Sequence, residues 1–150
     1  MIQPFVDEYR PGAPPTAGLR DSLGLPSRGT KLHECIRNGL PFSFLEQLSR
    51  KIGIDMRVLS EAVGISRSTL ARRAKAERLT CAESDLLYSL TMVLNAAFEL
   101  LEGDALALRT WMTSPARSLA RTAPLQMIRT RVETQAVLDL IGRLEHGVPA

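Results

Sequence analysis

Asp55-Met-Arg-Val-Leu-Ser-Glu-Ala-Val-Gly64-Ile-Ser-Arg-Ser-Thr-Leu70-Ala-Arg-Arg-Ala-Lys-Ala-Glu-Arg-Leu-Thr80 decides the fold. It reads as two short helices around a tight turn. Asp55 can cap a helix from Met56 to Val63, and Ser66 can cap the next, from Arg67 to about Arg78. Gly64 tolerates the positive φ that a turn between steeply crossed helices needs. Ser60 is small enough for the second helix to cross closely. Leu59 and Val63 face inward, and Ile65 plugs the turn. On the second helix Leu70, Ala71 and Ala74 form the expected buried face. Ser68, Arg72 and Lys75 recur at i, i+4 and i+7 and share the opposite face, flanked by Thr69 and Arg73. No carboxylate interrupts that face before Glu77. The pattern is that of a helix-turn-helix. Arg72 can fork onto a guanine, and Ser68 or Thr69 can touch a base or phosphate. Arg67, Arg73 and Arg78 suit phosphates, which position without specifying. A plain helical hairpin with a basic outer side shares the turn but not the whole pattern. A short recognition helix reads one half-site, so a symmetric dimer on a palindromic operator is expected.

Outward from that stretch, charge agrees with it. Residues 50–80 hold eight basic side chains and three acidic ones, +5 in a chain whose net charge is +3, so the remainder is −2. A basic segment in an otherwise near-neutral chain suits a polyanion, although a solvated helix face gives the same count. The chain is 150 residues long and 45% hydrophobic, enough for one domain or two small ones sharing a core. Aromatics are 5%, strand-forming runs are missing, and Leu, Ala and Arg dominate. The expected fold class is all-α. Leu86 to Leu101 is too polar and too short for a membrane span, and no secretory signal is visible. Cys35 and Cys81 make neither a disulfide framework nor a four-ligand zinc site. The expected compartment is the cytoplasm.

Residues 1–29 contain five of the nine prolines and four of the ten glycines and read as a flexible arm. Thr30 is the expected cap of a short helix to Asn38, closed by Gly39. Ser43-Phe-Leu-Glu46 fits a capping box for a helix ending at Gly53, with Phe44, Leu45, Leu48 and Ile52 inward. Thr80-Cys-Ala-Glu83 is a second box and opens a long helix to about Leu101. Its expected stripe is Leu86, Leu90, Val93, Ala97 and Leu101. Gly103-Asp104 restarts the chain for a helix to Met112. Thr122 with Pro124 marks another start. A last helix covers roughly Glu133 to His146, with Val137, Leu140, Ile141 and Leu144 inward. Trp111 is expected in the core, and Met56, Met92, Met112 and Met127 are read as core fillers.

Two sets of residues carry a family resemblance. Gly64-Ile-Ser-Arg-Ser-Thr-Leu-Ala-Arg-Arg73 followed by Arg78-Leu-Thr and Glu83-Ser-Asp85 resembles the Xre-type part of the Xre/MbcA/ParS antitoxins. Trp111-Met with Pro115, then Thr122, Pro124-Leu125 and Arg143-Leu-Glu-His-Gly-Val148, resembles the same family's C-terminal toxin-binding domain. The resemblance covers about 120 residues, from near Leu32 to the end. Ala116-Arg117 stand where the family often has Asn, and Tyr88 where it often has Arg. After the flexible arm (1–29), the expected domain order is an Xre-like helix-turn-helix (30–80), a connecting or dimerisation helix (81–103) and, as the resemblance implies, a toxin-binding domain (104–150). The resemblance implies an antitoxin that binds a cognate RES-domain, NAD-consuming toxin, covers its active site and represses the shared operon by binding operator DNA. It also implies a homodimer and a larger complex with the toxin. The expected toxin contacts are Arg117, Arg143, Glu145, His146, Gly147 and Val148. A charged, chain-terminal segment can enter a cleft that a compact surface cannot.

No catalytic constellation is visible, so the chain is not read as an enzyme. His33 and Cys35 are two apart on a predicted helix and face different ways. No phosphate loop or nucleophile–base set occurs, and no cofactor or metal is expected; NAD belongs to the partner. Two other readings stay open: a stand-alone repressor with a ligand- or protein-responsive C-terminal domain, and an adaptor without DNA binding.

Overall fold

A computed structural model describes residues 18–26 and 28–147. All named elements among them are helical, as expected. In chain order α1 is Leu19–Ser22, α2 Thr30–Asn38, α3 Phe42–Ile52, α4 Met56–Ala62, α5 Arg67–Ala76, α6 Cys81–Leu100, α7 Ala105–Thr113 and α8 Arg131–Glu145. Two single 3-10 turns, Arg117–Leu119 and Pro124–Gln126, join α7 to α8.

The long helix α6 is the axis, and α1, α2, α7 and α8 pack around it. Its capping box forms as the sequence predicts: Thr80 Oγ1 accepts the Glu83 N–H, and Glu83 accepts the Thr80 N–H. With neighbours on several sides, the buried face of α6 is wider than one stripe. Ser84, Leu87, Leu90, Thr91, Val93, Leu94 and Ala97 are buried, while Leu86 and Leu101, expected inward, are half-buried. The Thr91 hydroxyl donates to the Leu87 carbonyl, so its burial leaves no orphan. α3 contributes Phe42, Phe44, Leu45, Leu48 and Ile52 to the same core and packs on α4 and α7. Each such side chain removed from water is worth about 1.5–3 kcal/mol. Asp104 caps α7 by accepting the Leu106 and Ala107 N–H groups. Met112 is fully buried and Trp111 half-buried against the core.

Five further expectations about the elements need correction. The flexible arm cannot extend through residue 29: Leu19, Leu23 and Leu25 are buried in the core, and α1 packs on α6. Residues 1–17 and 27 lie outside the described residues. Thr30 is the first helical residue, with Gly29 as its N-cap. Ser43 is not a cap. α3 begins at Phe42 after Pro41, because the Phe42 N–H is already taken by the Glu77 carbonyl across a short antiparallel bridge between Pro41 and Arg78. Thr122 caps nothing either, since it pairs with Ala116 and its N–H goes to Leu119. The last helix starts two residues earlier than expected, at Arg131, under a capping box of Thr130 and Glu133.

Cys35 is half-buried, Cys81 is exposed, and both are free. Among the described residues no helix is long and apolar enough to cross a membrane.

Candidate functional site

The hairpin of α4 and α5 is built by the residues that predicted it. Asp55 accepts the Arg57 N–H at 2.8 Å and starts α4. Gly64 holds φ 81°, and the Ile65 N–H closes the turn on the Ser60 carbonyl at 2.8 Å. Ser60, Leu59, Val63 and Ile65 are all buried, so α5 crosses α4 over a small side chain with an apolar plug beneath. Ser66 caps α5 by accepting the Thr69 N–H.

On α5 only Leu70 is buried. Ala71 and Ala74, expected inward, are exposed. The helix meets the body along a narrow line, and the flank beside Leu70 is occupied by the half-buried Arg73 instead. Arg67, Ser68, Arg72 and Lys75 are exposed together on the outer side, with Thr69 half-buried at the edge. Arg72 Nη2 donates to Thr69 Oγ1 at 3.1 Å, and the Ser66 hydroxyl donates to the same oxygen at 3.0 Å. This short chain of hydroxyls holds the Arg72 guanidinium on the outer side of α5.

Two of the expected phosphate contacts are occupied within the chain. Arg73 Nε and Nη2 donate to the two carboxylate oxygens of Glu83 at 2.8 and 3.0 Å. Arg78 Nη1 donates to the Gly39 carbonyl at 2.6 Å. Partial burial works against ionisation of Glu83, but the Arg73 side chain and the Thr80 N–H outweigh it and hold the carboxyl below its ordinary value. The same hydrogen bond raises Arg73. Arg57 is a basic residue to which the sequence assigned no contact. It is exposed and shares a hollow of about 480 Å³ with Ser66 and Arg67 on the outer face of the hairpin. Its signal was its place in the basic window, two residues after the cap.

In the C-terminal part, Val137, Leu140 and Ile141 seat α8 on the core, and Leu144 is half-buried. Arg143, Glu145, His146 and Gly147 are exposed at the free end of α8. His146 Nδ1 lies 2.7 Å from the Gly142 carbonyl, which folds the ring back on the last turn. Arg117 is exposed on a 3-10 turn that packs against α8. Val148 lies outside the described residues. Among the described residues no three His, Cys, Asp or Glu side chains gather as a metal site.

One cation links the two parts. Arg129 donates through Nε and Nη2 to the Ala62 and Glu61 carbonyls at 3.3 and 3.1 Å, closing the C-terminus of α4. The pair is 67 and 68 residues apart in sequence, and no local pattern announces it. Beside it a groove of about 690 Å³ runs between α4 and the Pro124–Gln126 turn.

Comparison with known proteins fits this division. Residues 31–91 match the model of the antitoxin Xre-like helix-turn-helix domain. Residues 96–147 match the antitoxin Xre/MbcA/ParS C-terminal toxin-binding domain. The Antitoxin Xre of Yersinia enterocolitica is 36% identical over 135 residues, 89% of this chain and 91% of that one. The chain belongs to the Xre/MbcA/ParS antitoxin family. The Antitoxin Xre of Photorhabdus laumondii is 28% identical over 129 residues, covering 85% of this chain and 87% of its own. The break between the two matched units, residues 92–95, falls inside α6, so one continuous helix belongs to both.

Proposed function

We propose that the chain is the antitoxin of a two-component system, neutralising a RES-domain, NAD-consuming toxin and repressing the operon they share. The observation that supports this most directly is the pairing of two family units on one core. One presents an outward basic helix, and the other ends in an exposed charged helix terminus. Neutralisation is assigned to the C-terminal unit, where Arg143, Glu145, His146, Gly147 and Val148 enter the toxin's active-site cleft and Arg117 flanks them. Arg143 is suited to pair with acidic groups of the toxin, and Glu145 with basic groups that otherwise hold phosphate. Repression is assigned to α5, where Arg72 reads a base, Ser68 and Thr69 touch a base or phosphate, and Arg67 and Lys75 lie along the backbone. A homodimer places two copies of α5 on a palindromic operator, and the toxin adds to that assembly. The site of action is the cytoplasm, and the chain catalyses nothing itself.

Co-expression with the product of the adjacent gene tests the reading. The full chain is expected to restore growth, and a chain lacking residues 143–150 is expected to fold but protect poorly. A harmless neighbour, or a toxic one that the full chain does not relieve, refutes the antitoxin reading. Full protection by the truncated chain refutes the tail-entry mechanism alone. Operator binding without any neutralisation favours a stand-alone repressor, for which the groove between α4 and the C-terminal unit is the natural ligand site.

A further inference from the structure

We propose that Arg73 is a positioning residue for operator reading: it fixes the rotation of α5 on the body of the protein and does not serve as a phosphate ligand. The proposal rests on the reading of the chain as an operator-binding protein.

A recognition helix must hold its outer side chains within a fraction of an ångström of their targets to discriminate bases. Here α5 has one buried anchor, Leu70, and its neighbouring alanines are exposed. The ends of α5 are tied, by the buried Ile65 before it and by the Phe42 N–H on the Glu77 carbonyl after it. Along its length Leu70 alone is buried, which leaves its roll about its own axis to few contacts. Arg73 lies three residues from Leu70 on the same flank and supplies a second anchor. Its planar fork meets both oxygens of Glu83, at 2.8 and 3.0 Å, a geometry that specifies angle as well as distance. Side-chain exposure is 21% for Arg73 and 16% for Glu83, so the pair is not a freely solvated surface contact. Glu83 is itself rigid. The oxygen that takes Arg73 Nε also accepts the Thr80 N–H at 2.9 Å, in the capping box of α6, the long helix on which α1, α2, α7 and α8 pack. The line of force therefore runs from the core through α6 to Glu83, to Arg73, and into α5. Ser68, Arg72 and Lys75 project from the other side of that helix. Releasing the fork lets them roll off register without removing any of them.

The alternative is an arginine that leaves Glu83 for a DNA phosphate, and the two roles differ in sign. The test measures binding to the chain's own promoter fragment and to an unrelated duplex of equal length across a salt series. Glu83→Gln keeps a capping box, since Gln serves at that position, but it loses the charged fork and frees Arg73. For a positioning role, Glu83→Gln, Arg73→Ala and Arg73→Lys each lower the promoter-to-unrelated ratio, by about 5- to 20-fold. The salt slope stays unchanged, because no phosphate contact is gained or lost. For a phosphate ligand, Glu83→Gln binds both duplexes more tightly, Arg73→Lys behaves as wild type, and Arg73→Ala weakens both equally and reduces the slope by about one. That second pattern overturns the proposal. Arg73→Lys, the mildest change, keeps the comparison decisive if Arg73→Ala fails to fold, as a thermal melt reveals. A wild-type chain that does not distinguish its promoter from the unrelated duplex refutes operator reading itself. An unaltered ratio in the variants on a promoter that wild type does prefer refutes only the role of Arg73.

Discussion

Ser84→Ala is the most informative single change to the fold, because a small side chain there carries a long-range connection. Ser84 is fully buried in the first turn of α6, and its hydroxyl accepts the Leu40 N–H at 2.7 Å. Leu40 is itself only 2% exposed. Its carbonyl takes the Leu79 N–H at 2.9 Å, beside the Phe42 N–H to Glu77 carbonyl bond at 3.1 Å. Ser84 thus fastens to α6 the short segment that holds the end of α5. Alanine removes the acceptor and leaves a backbone N–H orphaned where water does not reach. A buried donor without a partner costs about 1–3 kcal/mol, and the space vacated by one oxygen is too small to admit a water in its place. The expected loss is about 2 kcal/mol. In a domain of this size each kcal/mol moves Tm by roughly 2–4 °C, so Tm is expected to fall by about 4–8 °C. Thermal and urea unfolding followed by far-ultraviolet circular dichroism measures it, with the urea m-value unchanged. Ser68→Ala, on the exposed face of α5, is the control and is expected within about 0.5 kcal/mol of wild type. A loss below about 0.5 kcal/mol for Ser84→Ala refutes the reasoning, because the Leu40 N–H must then have found another acceptor.

Three further outcomes are expected. Gly39 has φ 91°, and a Cβ there would collide with the Leu79 carbonyl oxygen. Gly39→Ala is therefore expected to cost more than about 2 kcal/mol in urea titration, combining left-handed strain with a backbone clash. Arg129→Ala removes two donors from the last carbonyls of α4. Because Arg129 is exposed and water can replace it, the cost is expected to be about 0.5–1 kcal/mol, with faster hydrogen exchange in the Gly64 turn as the local signature. Glu83 gives a pH signature. Its folded carboxyl is held below its ordinary value, so the unfolded chain binds more protons there. The stabilisation is present above the ordinary glutamate value of about 4.3 and is lost as pH falls through the lower folded value. The stability gap between wild type and Glu83→Gln should shrink from pH 6 to pH 3; a gap that holds constant contradicts the ion pair.

Most interactions spanning three or four residues were determined by the sequence alone, the Ser43–Glu46 spacing being overridden by the bridge at Phe42. Asp55, Ser66, Thr80 and Asp104 cap helices where their spacing places them, and Gly64 makes the turn. Once a helix forms, it holds such neighbours at one geometry. The Thr130 and Glu133 box is equally local and starts α8, whereas Pro124 starts only a single 3-10 turn. The outer face of α5 also followed from periodicity, since Ser68, Arg72 and Lys75 emerge on one side in any helix.

What only the tertiary structure decided is where the long side chains end. Arg73 and Arg78 read as phosphate contacts, and each instead meets an acceptor on another segment of the chain, as does Arg129, to which the sequence assigned no role. Leu40 finds Ser84 across 44 residues, and Leu19, Leu23 and Leu25 settle on the core from a stretch rich in proline and glycine. The physical reason is reach. An arginine carries its charge several bonds from a backbone whose neighbours are set by packing, so its partner is a property of the folded surface. Periodicity said which way α5 faces; only the folded chain brought Arg73 to Glu83.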